Sequence, residues 1–264
     1  ELNFGFDEAL ASADHLMLFK LAAHALAEAH GMVFSMMPKP FADQPGSGMH
    51  FHVSLWSGWN AKRPDNAHNV FVPHRSDGSA DHERSLSPIG RHFIAGVLAH
   101  AGALTALSAP TVNSYKRLRV SPSLSGTSWA PAYVAQGPNN RTAALRTLHG
   151  RFEWRVPDAS ANPYLATAAL IAAGLDGVDR KLEPPADCID DLFELSPADV
   201  QARGIGRLPQ SLGEALDALA ADELICTTLG ETLTHQFLSL KRAEIAAYRQ
   251  HISDWELQRY VEAF

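Results

Sequence analysis

The chain has 264 residues, 46% of them hydrophobic and 19% charged, which supplies apolar surface for a large core and excludes a disordered chain. Its length fits one large domain or two small ones. A formal net charge of -7 and a pI near 6.0 argue against a nucleic-acid or anionic-membrane partner held by bulk charge, so any anionic ligand must be gripped locally.

No apolar run approaches the roughly 18 to 20 residues of a membrane helix, and the opening ELNFGFDEAL lacks a basic region followed by an apolar core. Cys188 and Cys226 are too few for a disulfide scaffold and lack metal-site spacing, which fits a reducing cytoplasm. Glu1 is not Met and the chain opens in mid-pattern, so a preceding segment is expected.

The first predicted element is a helix over 7–30, from apolar positions at helical spacing with Gly31 as its stop. Alternating residues predict strands over 32–37 and 49–56. The stretch 57–87, with Gly58, Pro64, Pro73 and Gly78, reads as an exposed loop or hairpin. Ser87-Pro88 caps a second helix that runs through Leu104 and ends near Ala109-Pro110. Strands follow over 142–148 and 151–156, and Asn162-Pro163 starts a third helix. Beyond the Pro-rich 183–209 stretch come helices over 211–219, opened by a Ser211-x-x-Glu214 capping box, and over 222–250. Ser253-x-x-Glu256 opens the last one. Strands and helices mix without regular alternation, which predicts an α+β fold.

Two strands carry chemistry. In Gly46-Ser-Gly-Met-His-Phe-His-Val-Ser54, strand geometry puts His50, His52 and Ser54 on one face and Met49, Phe51 and Val53 on the other. In Arg151-Phe-Glu-Trp-Arg155 it puts Arg151, Glu153 and Arg155 on one face. A carboxylate between two guanidinium groups is expensive to bury unless a cation or an anion completes the set; a solvated charged face is the plain alternative. Arg117, Arg141 and Arg146 raise the arginine density of an acidic protein, and arginine concentrates where phosphates and carboxylates are held. Glu1, His50 and Glu153 are donors suited to Mg²⁺ or Mn²⁺. Together this is an inventory for phosphoryl transfer, in which metal ions and arginines neutralise developing charge. Neither a GxxxxGK[ST] loop nor a dinucleotide GxGxxG is present.

These segments resemble a known family. Met37-Pro-Lys-Pro40, Gly46 to Leu55, Asn113-Ser-Tyr-Lys-Arg-Leu118, Asn140-Arg141, Arg151-x-Glu-x-Arg155 and Asn162-Pro-Tyr-Leu165 are together similar to the catalytic domain of glutamine synthetases, and the resemblance covers essentially residues 1–264. Leu124 to Pro131 and Ile252-Ser-Asp-Trp-Glu256 look like the glutamate-methylamine ligase branch, also called type III.

The resemblance implies an antiparallel sheet backed by helices, with an amino-terminal β-grasp domain and the first catalytic strands lying upstream of Glu1. It implies metal ligands at Glu1, His50 and Glu153, glutamate contacts from Gly46, Arg117 and Arg155, and nucleotide contacts from His52, Val53, Ser54, Arg141, Arg146 and Arg151. Arg117, Arg141 and Arg155 would serve catalysis, Arg141 at the transferring phosphoryl group. The implied reaction uses two divalent ions, ATP and L-glutamate, forms γ-glutamyl phosphate, and ends with attack by ammonia or a small amine. A homo-oligomeric ring is implied as well.

Two positions depart from the family pattern. Trp129 stands before Ala130-Pro131 where a Glu is usual, which suits a bulkier amine such as methylamine. Pro45 replaces an Asn before the glycine. Two other readings stay open on the residues alone: a zinc hydrolase built on His50 and His52, and a glutamine-synthetase-like structural or nucleotide-binding protein without catalysis.

Overall fold

A computed structural model describes residues 2–58, 67–73, 86–120 and 129–264. Helix α1, Ala9–Ala29, opens the chain. The extended segment that follows it leads into β1, Phe51–Val53, then β2, Trp56–Ser57, and β3, His68–Asn69, which pair as a hairpin. Next come α2, Pro88–Ala99, α3, Ala101–Ser108, and a 3-10 turn at Ser114–Lys116. Strands β4, Tyr133–Val134, β5, Gln136–Pro138, β6, Leu145–Leu148, and β7, Arg151–Trp154, precede α4, Pro163–Asp179. The rest is α5, Pro197–Ala202, β8, Gly206–Arg207, α6, Leu212–Ala221, α7, Glu223–Leu229, α8, Glu231–Gln250, and α9, Asp254–Tyr260.

The helix starts follow the sequence closely because their caps are local. Ser87 accepts the Gly90 N–H, Asn162 accepts those of Tyr164 and Leu165, and Ser253 with Glu256 forms a full capping box. At α6 the box is half formed: Ser211 caps Glu214, but the Glu214 carboxylate turns to the backbone N–H of Gln210.

The four-stranded sheet has the order β1-β7-β6-β5. β1 with β7 and β6 with β7 run antiparallel, whereas β5 runs parallel to β6, so the sheet is mixed rather than purely antiparallel. One face carries Phe152 and Trp154 into the helical layer. Phe152 meets Phe71 and Phe93 at ring-centroid distances of 6.2 and 5.8 Å, and Trp154 Nε1 donates to Ser108 Oγ at 3.4 Å. Each such fully buried aromatic contributes about 1.5–3 kcal/mol. The other face carries the charged residues.

Helices α2 and α4 approach through glycines: a Cβ on Gly96 would stand 2.1 Å from the Ala173 carbonyl oxygen, and one on Gly174 would stand 2.1 Å from the Phe93 ring. This close pair presses Phe93 onto the back of the sheet and so fixes the depth of β7.

Four expectations besides the antiparallel sheet are corrected. Residues 32–37 form no strand; Phe34 instead packs edge-on against Phe19 and His24 of α1, which satisfies the apolar alternation. The strand expected over 49–56 is split into β1 and β2. The helix expected from Pro88 to Ala109 breaks at His100, whose ring is held by Asp222 at 2.6 Å and Asp176 at 3.2 Å. The helix expected over 222–250 breaks at Gly230, φ 80°, a backbone region that L side chains rarely adopt.

Candidate active site

Register builds the site. Across the sheet, His52 of β1 lies opposite Glu153 of β7, and Arg146 of β6 lies opposite Glu153 on its other side. Directly opposed residues share a face, so His52, Glu153 and Arg146 form a row on the face away from the core, with His50 and Arg155 two residues along their own chains.

Glu153 is the hub. Its side chain is 4% exposed; Oε1 accepts from His50 Nδ1 at 2.8 Å and Arg155 Nη1 at 2.7 Å, and Oε2 accepts from Arg146 Nη1 at 3.1 Å. Burial alone would raise the carboxyl pKa, but the His50 hydrogen bond and the Arg155 charge outweigh it, with Arg146 adding to them, and bring it down to about 2. His52 is shifted down by burial, against the pull of Glu153. One carboxylate faced by two guanidinium groups leaves a surplus of positive charge, which an anionic ligand such as a phosphate would neutralise.

Arg155 is oriented by three acceptors: its Nε donates to the Arg141 carbonyl at 3.1 Å, Nη1 to Glu153, and Nη2 to the Trp129 carbonyl at 3.2 Å. Arg141 is exposed and lays its guanidinium over the Trp129 ring, 5.2 Å from the centroid. Arg117 is buried and donates to the carbonyls of Val156 at 2.8 Å and Arg155 at 3.0 Å, so it fixes the exit of β7. Burial lowers its pKa to about 10, partly opposed by the Asp158 charge, and it stays cationic at neutral pH.

The glycine loop sits directly over Arg117. A Cβ on Gly48 would stand 2.6 Å from Arg117 Nη2 and 3.1 Å from His50 Nε2; one on Gly46 would stand 2.8 Å from the Pro38 carbonyl. Gly46 and Gly48 thus let backbone, arginine and imidazole meet. Asn113 ties in the Lys39 segment by exchanging two hydrogen bonds with its backbone, at 2.7 and 3.0 Å.

The structure therefore brings together His50, His52, Glu153, Arg146, Arg155, Arg117, Gly46 and, through Arg155, Arg141. Val53 lies opposite Phe152 and packs its side chain against the core. Ser54 accepts the Trp56 indole N–H at 2.9 Å, and Arg151 is exposed at the edge of β7. Glu1 and residues 124–128 of the Trp129 segment lie outside the described residues.

Sequence reasoning passed over two residues. Asn113 stands within a sequence motif, but nothing local marks its amide as the tie to the Lys39 backbone. Asn139 stands two residues before Arg141, has a left-handed backbone at φ 57°, and its Oδ1 accepts from Arg146 Nη2 at 3.0 Å.

A buried carboxylate clamped by an imidazole and arginines on a mixed sheet, beneath a glycine loop, has the charge and donors to suit a phosphorylated ligand, and the chain's likeness to known proteins gives its family. Residues 1–260 match the family described as "Glutamine synthetase, catalytic domain", and the chain belongs to it. It is 49% identical over 264 residues to a glutamate–methylamine ligase of Methyloversatilis universalis, covering 100% of this chain and 57% of that protein. It is 41% identical to a glutamine synthetase of Halobacterium salinarum, covering 100% of this chain and 55% of the relative. Among solved structures it is similar to a GmaS/ADP complex, with a TM-score of 0.84 and 38% identity over 98% of this chain and 56% of that one. The chain thus spans about half the length of the relatives it matches.

Family membership decides against the zinc hydrolase. Among the described residues no helix is long and apolar enough to cross a membrane.

Proposed function

We propose that the protein carries the catalytic half of an ATP-dependent ligase that joins ammonia or a small amine to the γ-carboxylate of L-glutamate through γ-glutamyl phosphate. The observation that carries this reading is the Glu153 cluster, a buried carboxylate held charged among Arg146, Arg155 and His50 with positive charge to spare. Its support is the family match and the methylamine ligase at 49% identity.

His50 and Glu153 present an imidazole nitrogen and a carboxylate in contact at 2.8 Å, a donor pair whose chemistry fits Mg²⁺ or Mn²⁺. Among the described residues no group of three His, Cys, Asp or Glu side chains is placed to hold an ion; Glu1, the remaining ligand we propose, lies outside them. Held there, the ion would supply charge neutralisation for the nucleotide phosphates.

The protein groups then divide the work. His52, the Val53 backbone, Ser54, Arg141, Arg146 and Arg151 surround the nucleotide. Arg155, pre-set by its three acceptors, and Arg117, beneath Gly46, hold glutamate, so that its γ-carboxylate oxygen attacks the γ-phosphorus of ATP as the bond to ADP breaks. Arg141 stabilises the phosphoryl group in transfer. The amine nitrogen next attacks the acyl carbon, loses a proton, and phosphate leaves.

His50, His52, Arg141 and Arg151 of the site are exposed, and α1 leaves Leu10, Leu18, Leu21 and Leu26 each more than 60% exposed, which supports assembly into a homo-oligomer. We place the protein in the cytoplasm. The test is phosphate release from ATP by the full-length protein with glutamate and Mn²⁺, comparing ammonium with methylamine. Amine-stimulated release supports the ligase; none with any amine returns the non-catalytic reading.

A further inference from the structure

The Arg146 guanidinium is planar and presents its donors as a fork that matches the two oxygens of a carboxylate. Facing Glu153 directly across the sheet, Arg146 has the natural option of a two-pronged grip on it. The structure shows a different arrangement. Nη1 donates to Glu153 Oε2 at 3.1 Å, while Nη2 donates to Asn139 Oδ1 at 3.0 Å and the buried Nε has no partner among the described residues.

Asn139 stands just past the end of β5, with its backbone N–H on the Thr147 carbonyl at 3.3 Å and φ at 57°. A left-handed backbone disfavours most L residues by about 1–2 kcal/mol, and Asn is among the few that adopt it readily. The turn is pinned from its other side by Asn140, which donates to the carbonyls of Cys188 at 2.8 Å and Asp190 at 2.9 Å and accepts from the Thr142 N–H at 2.8 Å. The Asn139 backbone is therefore held from both sides, and its exposed amide oxygen is turned toward Arg146.

We propose that Asn139 is a positioning residue that splits the Arg146 fork, keeping this arginine on one oxygen of Glu153 so that the carboxylate stays open to a divalent cation. The proposal rests on the reading of His50 and Glu153 as cation ligands. Without the amide, Arg146 swings its second Nη onto Glu153 and competes with the ion.

The experiment compares the full-length wild type with Asn139→Gly, which keeps the left-handed backbone and removes the amide, and Asn139→Asp, which keeps an oxygen acceptor. Mn²⁺ binding is measured by titration calorimetry without nucleotide, and the melting temperature is measured without metal. Asn139→Gly should raise the Mn²⁺ Kd about tenfold or more, in the range seen when partners of metal ligands are removed. Its metal-free melting temperature should hold or rise, because Arg146 then pairs more fully with Glu153. Asn139→Asp should bind Mn²⁺ close to wild type.

An unchanged Kd in Asn139→Gly overturns the proposal, as does an equal loss in both variants. A weaker Kd accompanied by a large fall in metal-free melting temperature also overturns it, since a merely structural turn would give that pattern. A wild type that binds no Mn²⁺ defeats the cation reading and the proposal with it.

Discussion

The charge on Glu153 holds the site together, and Glu153→Gln tests this. Glutamine keeps the shape and removes the charge, leaving the Arg155 guanidinium, whose side chain is 6% exposed, and Arg146 without their carboxylate. The drop in pKa from 4.5 to about 2 corresponds to about 3 kcal/mol of preference for the charged form, at about 1.4 kcal/mol per pH unit. A loss of about 3 kcal/mol lowers the melting temperature of a chain of this size by about 6–12 °C. The sign of the pH dependence follows from the depressed pKa. The contribution is fully present above the unfolded value near 4.5 and is lost as pH falls toward about 2. By about pH 3, roughly two-thirds of it should be gone. Urea unfolding of wild type and variant, without metal, at about pH 7 and about pH 3, reads this directly: the gap should narrow from about 3 to about 1 kcal/mol. A gap that does not change with pH, or a variant as stable as wild type at pH 7, would refute the reasoning.

Gly96→Ala should destabilise by more than about 2 kcal/mol, because its Cβ would meet the Ala173 carbonyl oxygen at 2.1 Å, a backbone atom that cannot turn aside; a urea midpoint within error of wild type contradicts this. His100→Leu should cost about 2–4 kcal/mol by leaving Asp176 and Asp222 without the ring between them, measured by the same unfolding curves. Arg155→Lys should raise the KM for glutamate about tenfold or more, since a lysine cannot reach Glu153 and the Arg141 and Trp129 carbonyls together; an unchanged KM removes Arg155 from glutamate binding. Trp129→Glu should shift the ratio of kcat/KM values from methylamine toward ammonium, and an unchanged ratio removes Trp129 from amine selection.

Much of the site was legible because strand alternation is a local rule. Once 151–154 is a strand, Glu153 and Trp154 must face opposite ways, and the burial of Trp154 fixes which way Glu153 points. The caps of α2, α4 and α9 were legible for the same reason. Long-range pairing was not. Nothing within β5 and β6 announces that they run parallel, and the kink at His100 depends on Asp176 and Asp222, 76 and 122 residues away. Alternation misled at 32–37, where the neighbour is the α1 helix and not a strand. Asn139 carries no local signal because an Asn-Asn pair before an arginine reads as a plain turn; its left-handed φ and its reach to Arg146 are visible only in three dimensions.

Activation of glutamate as an acyl phosphate, as proposed for this site, is tested most directly by an oxygen label. L-Glutamate carrying ¹⁸O in its γ-carboxylate is incubated with the full-length protein, ATP, Mn²⁺ and methylamine or ammonium, and the released phosphate is analysed by mass spectrometry. One ¹⁸O atom is expected in each phosphate, because the γ-carboxylate oxygen that attacks phosphorus leaves with it. Amine-dependent release of unlabelled phosphate would contradict it.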